Sequence, residues 1–428
     1  IHQTVSSQHT QSMMLLSIVV LACTISSTLS QCLTAQDDRQ NKGQIAHQEL
    51  LRSQLDFSLS LFKAVGSQQP SDNVFISPLS IYNALLLAYF VSRGHTEESL
   101  HKFLYLPANQ DKLDMLLSYR VQRLITSSGA YKSQFNTANR LFVSVEQTVL
   151  DCMSFYFNDE IEMVDFSGRG LTQAVDRINS WVAQQTKNNI QNMVSADSIN
   201  PGSQLILANA AYFKGDWKTQ FDERDTRMVS FFVNKDKSVM VPMMYQQETF
   251  KHWRSNEAGA EIVDLPYKGS NISLLLLLPD PSREMYPAAS LLRRLNTTNV
   301  RNIIRESVNP RNDDKVEIRI PKFNVERTLE LTGILESLGI GDLFRSTSDL
   351  TGLTGGPRIR LNNAIHKAKI QVDERGTEAA AATALTDTRI PGSSFDCDRP
   401  FIYLLLDKSG DIDRATLLFA GIYTDPTK

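Results

Sequence analysis

The chain has 428 residues, of which 42% are hydrophobic, 21% charged and 8% aromatic, the balance of an ordinary globular protein and neither a disordered nor a membrane-embedded one. A formal net charge of −3 supplies no field that would draw nucleic acid or an anionic membrane surface. There are 4 cysteines, with no CxxC and no Cys/His cluster, so neither a zinc site nor a disulfide scaffold is indicated, and no motif calls for a cofactor.

Met13 and Met14 precede an apolar run from Leu15 to Ile25, then small and polar residues to Gln31. That run is too short to cross a bilayer and suits the core of a signal peptide over 13–30, with Thr28 and Ser30 as the small residues before cleavage. Residues 1–12 read as upstream sequence, although no Lys or Arg marks the segment before the apolar run. Secretion would leave Cys32, Cys152 and Cys397, an odd number, and hence at least one free thiol or an intermolecular bridge. Residues 31–47 read as an N-terminal extension and 48–428 as one domain, against the two or three that length alone suggests.

From Gln48 to Leu106 the pattern is helical: Leu55, Leu59 and Phe62 recur at helical spacing, and Pro78 opens a second helix through Ser80–Phe90. Asp111–Thr126 predicts a surface helix, and FNTANRLFVS (135–144) a strand. Leu171–Thr186 is amphipathic, with Val175, Ile178 and Val182 on one side. After the turn Asn200-Pro201-Gly202, QLILANAAYF is a continuous apolar run, the mark of a strand buried on both faces. Met228–Pro279 predicts short strands, and KVEIRIPKFNVE (315–326) one further strand by its alternation. TLELTGILESLGI (328–340) predicts a short helix closed by glycines, and IYLLLDKSG with TLLFAGIY a hairpin turning at Ser409-Gly410. The fold class is α+β, with helices packed on large mixed, mostly antiparallel sheets.

Between the strand AIHKAKIQVDE and the final hairpin lies a segment, about 374–399, with four consecutive alanines and almost nothing to anchor it to a core. Loops of that length are uncommon in compact domains and are usually functional. Alanine-rich sequence also suits an exposed helix or a linker. A third reading is a strand not yet in its sheet. Side chains alternate along a strand, so Thr377, Ala379, Ala381, Thr383 and Leu385 would share one face, all small or uncharged, while Glu378 points the other way. Asp387 and Arg389 fall on the same face at the far end, and Asp387 is the weak spot. Gly376 allows a hinge just before.

Glu374-Arg375-Gly376-Thr377-Glu378-Ala379-Ala380-Ala381-Ala382-Thr383 resembles the hinge of inhibitory serpins almost position for position. NVFISPLS (73–80), INSWV with Thr186 and Ile190, LANAAYFKGDW (207–217) and DRPFIYLL are similar to other serpin segments in the same order, from about Gln48 to Pro426. The general look is similar to arthropod haemolymph serpins, which restrain protease cascades. The resemblance implies a serpin fold with an exposed reactive-centre loop, and a monomer that traps a serine protease covalently as a suicide substrate. It assigns Ser77, Ser80, Asn209 and His366 to the polar cluster called the shutter, where the central sheet parts. Trp217, Lys322 and Glu374 match the breach, where the loop first enters. Taken alone, His366 is an ordinary satisfied histidine and Trp217 a core residue.

Counting back from Pro400-Phe401 by the family's spacing puts the scissile bond at Arg389–Ile390, which implies a trypsin-like target. Counting forward from Glu374 lands on Ile390, but Pro391 after it would block cleavage. The rival reading is a non-inhibitory serpin, a carrier, chaperone or storage protein, whose hinge carries bulky, charged or proline residues at inward positions. An enzyme is not indicated: GxSxG, HExxH and P-loop motifs are all absent. Sequons stand at Asn271 and Asn296, the first against an apolar run and the second in polar surroundings. Arg120, Arg123 and Lys132 lie on or after a helix that binds glycosaminoglycan in some serpins, though three basic residues also make an ordinary solvated face.

Overall fold

The computed structural model describes residues 43–126, 134–281, 284–309, 314–375, 393–409 and 415–428. Helix α1 (Gly43–Gln68) is followed by the short strand β1 (Val74–Ile76), α2 (Pro78–Val91), α3 (Gly94–Phe103) and α4 (Lys112–Thr126). Helix α1 therefore begins inside the stretch read as an extension, and β1 interrupts the stretch read as helical. The strand forms because Val74, Phe75 and Ile76 pair with the C-terminal strand, a partner no local pattern reveals. Helix α2 is apolar all round and buried along its whole length, with Ser77 as its N-cap and Pro78 in its first turn.

A five-stranded sheet has the order β10-β11-β4-β2-β3, comprising β2 (Phe135–Ser144), β3 (Ile161–Val164), β4 (Leu205–Phe213), β10 (Phe323–Glu330) and β11 (Asn363–Val372). Helix α5 (Leu171–Gln185) lays Val175, Ile178, Trp181 and Val182 against it. Every residue of β4 is buried, as its unbroken apolar run requires. The second sheet has nine strands among the described residues. Its ordered path runs β1-β14-β13-β8-β7-β6-β9-β12, with β5 (Arg227–Asn234) paired to β6 (Lys237–Ser255). The other members are β7 (Ala260–Pro266), β8 (Ile272–Pro279), β9 (Asp314–Pro321), β12 (Ser393–Asp396), β13 (Phe401–Asp407) and β14 (Thr416–Tyr423). The closing hairpin is as expected, β13 antiparallel to β14.

Three expectations change. The single strand over 315–326 is two strands in different sheets: β9 pairs with β6, β10 pairs with β11, and Lys322 stands at the hand-over. Pro321, lacking an N–H, sits at the end of β9. The helix read over 328–340 begins only at Thr332, because Thr328–Glu330 are taken up by the ladder to β11; past Leu335 it widens to a π-turn over Glu336–Ile340, where Gly339, at φ 100°, kinks the chain. The expected short strands of 228–279 include one of 19 residues, β6, which serves β5, β9 and β7 in turn.

Cys397 is free and buried, and burial pushes its thiol well above the usual value. Cys152 is disulfide-bonded; Cys32 lies outside the described residues. No helix among the described residues is long and apolar enough to cross a membrane.

Candidate functional site: the central strand gap and the loop root

Strands β4 and β11 lie side by side and parallel, Asn209 opposite His366. The neighbouring ladders put Asn139 of β2 opposite Asn209, and Leu329 of β10 opposite His366. One row across the sheet thus carries Asn139, Asn209 and His366, and it meets the start of α2.

The contacts there are complete. The Ser77 N–H donates to His366 Nε2 at 3.1 Å, so that nitrogen is unprotonated and the ring's proton sits on Nδ1, which donates to Asn209 Oδ1. Asn209 Nδ2 donates to Ser80 O at 3.0 Å, to Ser80 Oγ at 2.6 Å and to Asn139 Oδ1. Ser80 Oγ donates to the same Asn139 oxygen at 3.0 Å, and Ser77 Oγ to Leu418 O of β14 at 2.7 Å. Burial pushes the His366 imidazole down to about 3, so the ring is neutral at any physiological pH. The four residues singled out by resemblance therefore form one buried network spanning β4, β11 and α2. Asn139 belongs to it and was passed over in the sequence, where nothing in its own segment marks it, since its partner depends on register.

At the upper end of β11 the chain is held at several points. Trp217 Nε1 donates to Asp373 O at 2.8 Å, while its ring stacks on Tyr267 with centroids 4.4 Å apart. Lys322 Nζ bridges to Glu374 Oε2 at 2.7 Å, and Thr226 Oγ1 donates to Glu374 Oε1 at 2.8 Å. The Phe221 N–H donates to Glu374 O at 3.0 Å, and Gln220 Nε2 donates to Arg375 O at 3.0 Å. Burial alone would raise the Glu374 carboxyl, but the hydrogen bonds from Lys322 and Thr226, with one from the backbone, outweigh it and hold it below the usual carboxylate range. The hydrogen bond to Glu374 raises the Lys322 ammonium in turn. Thr226, Phe221 and Gln220 all follow the LANAAYFKGDW segment and were not singled out in the sequence.

The other positions expected from the sequence divide. Gly376, Thr377, Glu378, Ala379, Ala380, Ala381, Ala382, Thr383, Arg389 and Ile390 lie outside the described residues. What is described is both ends: β11 closes at Val372 in the five-stranded sheet, and β12 opens at Ser393 beside β9 in the other. Arg120 donates to Tyr156 O and lies over its ring, while Arg123 bridges to the buried Glu160 at 2.7 Å; both spend charge internally, and Lys132 is outside the described residues. Asn296 is exposed and caps the helix α6 (Thr297–Val308), its Oδ1 accepting from the Asn299 N–H at 2.9 Å. Asn271 is also exposed, with Nδ2 3.3 Å from Ser409 Oγ. Among the described residues no group of three or more His, Cys, Asp or Glu is placed to hold a metal ion.

The family described as Serpin (serine protease inhibitor) matches residues 52–426. Serine protease inhibitor 88Ea of Drosophila melanogaster is 33% identical over 402 residues, covering 88% of this chain and 91% of that protein. The leukocyte elastase inhibitor of Sus scrofa is 32% identical over 390 residues, covering 89% of this chain and all of its own length (100%). Among solved structures, Serpin48, a highly specific serpin of the insect Tenebrio molitor, superposes with a TM-score of 0.72 at 28% identity, covering 88% of this chain and 98% of its own. Uncleaved ovalbumin superposes with a TM-score of 0.75 at 25% identity, covering 88% and 100%.

Proposed function

Since the chain belongs to the serpin family of protease inhibitors, we propose that it is a secreted inhibitor that traps a trypsin-like serine protease at Arg389–Ile390. The observation that carries the reading is the parallel pair β4–β11 with the bait segment leaving the end of β11. A strand that turns back from β11 runs antiparallel to it, and therefore antiparallel to β4 as well. It would replace the less stable parallel ladder by two antiparallel ones.

The chemistry is that of an interrupted hydrolysis. The protease serine Oγ attacks the carbonyl carbon of Arg389, the Arg389–Ile390 peptide bond breaks, and the Ile390 amine leaves with a proton. Arg389 remains as an ester on the protease. Freed at that end, residues from Thr377 onward enter between β4 and β11 with Thr377, Ala379, Ala381 and Thr383 facing inward. Serpin loop insertion is the established example of strand addition and of stored strain released by cleavage. Roughly a dozen residues gain ladder bonds of about 1 kcal/mol each, a total on the order of 10 kcal/mol, comparable to the stability of a typical protein. That suffices to distort the attached protease. The buried Asn209–His366 contact must part for the strand to pass between β4 and β11, and the Glu374 cluster must release the loop's root. Glycosylation is assigned to Asn296, an exposed residue that caps its helix through Oδ1 and so leaves Nδ2 out of the cap.

Incubation with trypsin should give a complex that survives boiling in detergent, and a small C-terminal fragment whose mass begins at Ile390. Clean cleavage without a complex would favour the carrier, chaperone or storage reading instead. A fragment starting elsewhere would move the bond.

A further inference from the structure

The short helix Asp151–Tyr156 carries the disulfide-bonded Cys152, which is half-buried against the core beneath it. One turn on, and so on the same face, Phe155 is 80% exposed, the most exposed large apolar side chain among the described residues. Its ring meets that of Tyr156 edge-on at 5.7 Å, and the Arg120 guanidinium lies over Tyr156 at 5.6 Å. An apolar shelf therefore adjoins a sulfur that is already committed to a bond.

Few sulfurs are available to be its partner, since the chain has 4 cysteines. Cys397 is free and fully enclosed in the core. Cys23 lies in the apolar run of the segment read as a signal peptide and departs with it. Cys32 remains, shortly before Gly43, where α1 begins. Both α1 and the short helix lean on α4. Gln110, just ahead of α4, donates through Nε2 to Glu49 Oε2 of α1 at 3.0 Å, and Arg120 donates to Tyr156 O. Those two points stand about 15 Å apart along α4, while the chain from Cys32 to Gly43 reaches about 36 Å when extended.

We propose that Cys32 is bonded to Cys152, and that residues 31–42 form a strap from α1 across α4 to the short helix, where they cover Phe155. This tether rests on the secretion reading, which removes Cys23 and supplies an oxidising compartment. There the two thiols give up two protons and two electrons to a disulfide oxidant, which leaves as a dithiol. Leu33 and Ala35 stand beside the tether, and in an extended strap both face the same way, as an apolar shelf requires. Asp37, Asp38, Arg39 and Lys42 follow and stay in water. The bond closes a loop of about 120 residues, the long-loop case in which a cross-link removes the most entropy from the unfolded chain.

The test is a tryptic map of the full secreted chain, digested in denaturant without reduction after free thiols are blocked. The peptide ending at Arg39 should appear joined to the peptide 141–169, and reduction should part them. Cys32→Ser should free the Cys152 thiol, lower the thermal midpoint by several degrees and quicken amide exchange at 151–156 about fivefold. Cys152→Ser should lower the midpoint equally, and the double variant no further than either. A free Cys152 thiol in the parent, a bond from Cys152 to any other cysteine or to a second chain, or unchanged midpoint and exchange in Cys32→Ser would overturn the strap. N-terminal sequencing of the same sample reads secretion separately: a chain retaining residues 13–30 would end that reading, while a Cys32–Cys152 peptide would still support the tether. None of these readouts depends on protease inhibition.

Discussion

Lys322 Nζ lies 2.7 Å from Glu374 Oε2, joining the hand-over between the two sheets to the root of the bait loop. The carboxylate is almost wholly enclosed, at 4% exposure, while the ammonium is 44% exposed. The asymmetry matters, because removing the lysine strands a buried charge, whereas the lysine itself stays hydrated. Thr226 and the Phe221 N–H hold the same residue from the other side.

Lys322→Met should therefore cost about 1–2 kcal/mol, with the lower end set by solvent screening of the lysine. Thermal unfolding would show it, together with a faster loss of trypsin-inhibiting activity on warm storage as the root lets go. Glu374 has a lowered carboxyl, so its contribution is present above the ordinary value of 4.5 and is lost as pH falls through the lowered one. The gap between wild type and Lys322→Met should accordingly close in acid. A gap that persists there would assign the effect to packing.

His366 titrates at about 3 in the fold against 6.5 when free. The unfolded chain takes up the proton first, so stability is full above pH 6.5 and declines as pH falls toward the folded value. The slope is about 1.4 kcal/mol per pH unit, or about 2 kcal/mol between pH 6.5 and about 5. Urea unfolding at the two pH values should show that loss in wild type and its absence in His366→Gln, which starts less stable but lacks this slope.

Ala381→Asp places a carboxylate on the inward face of the inserting strand, where an unpaired charge costs several kcal/mol. Insertion should slow enough for the ester to hydrolyse, turning the inhibitor into a substrate that trypsin cleaves and leaves. Ala380→Asp, pointing the other way, should retain the detergent-stable complex. Gel densitometry of complex against cleaved product distinguishes them, and equal behaviour of the two would contradict the strand parity.

Gly421 of β14 faces Tyr403 of β13, and a Cβ there would collide with the phenol ring. Tyr403 is fully buried and has no room to withdraw. Gly421→Ala should destabilise by about 1–3 kcal/mol, read as a lower urea midpoint, and Tyr403→Leu in the same chain should recover part of it.

Much of this protein is visible one residue at a time. The strand FNTANRLFVS runs from Phe135 to Ser144 in the structure as in the sequence, and QLILANAAYF is enclosed along its ordered length, since burial on both faces demands an unbroken apolar run. The alternation of small residues from Thr377 and the missing side chain at Gly376 are likewise local properties, set by the period of a strand.

Partnership was not local. Asn139 carries no mark in its own segment; it enters the network because β2 and β4 adopt a register that sets it opposite Asn209. The alternation of KVEIRIPKFNVE says strand but not that Pro321 and Lys322 divide it between two sheets. Periodicity dictates which face of an element is apolar, because that depends only on backbone geometry. Which elements meet, and in what register, is decided when the whole core packs, and only then do residues far apart in the chain acquire their hydrogen-bond partners.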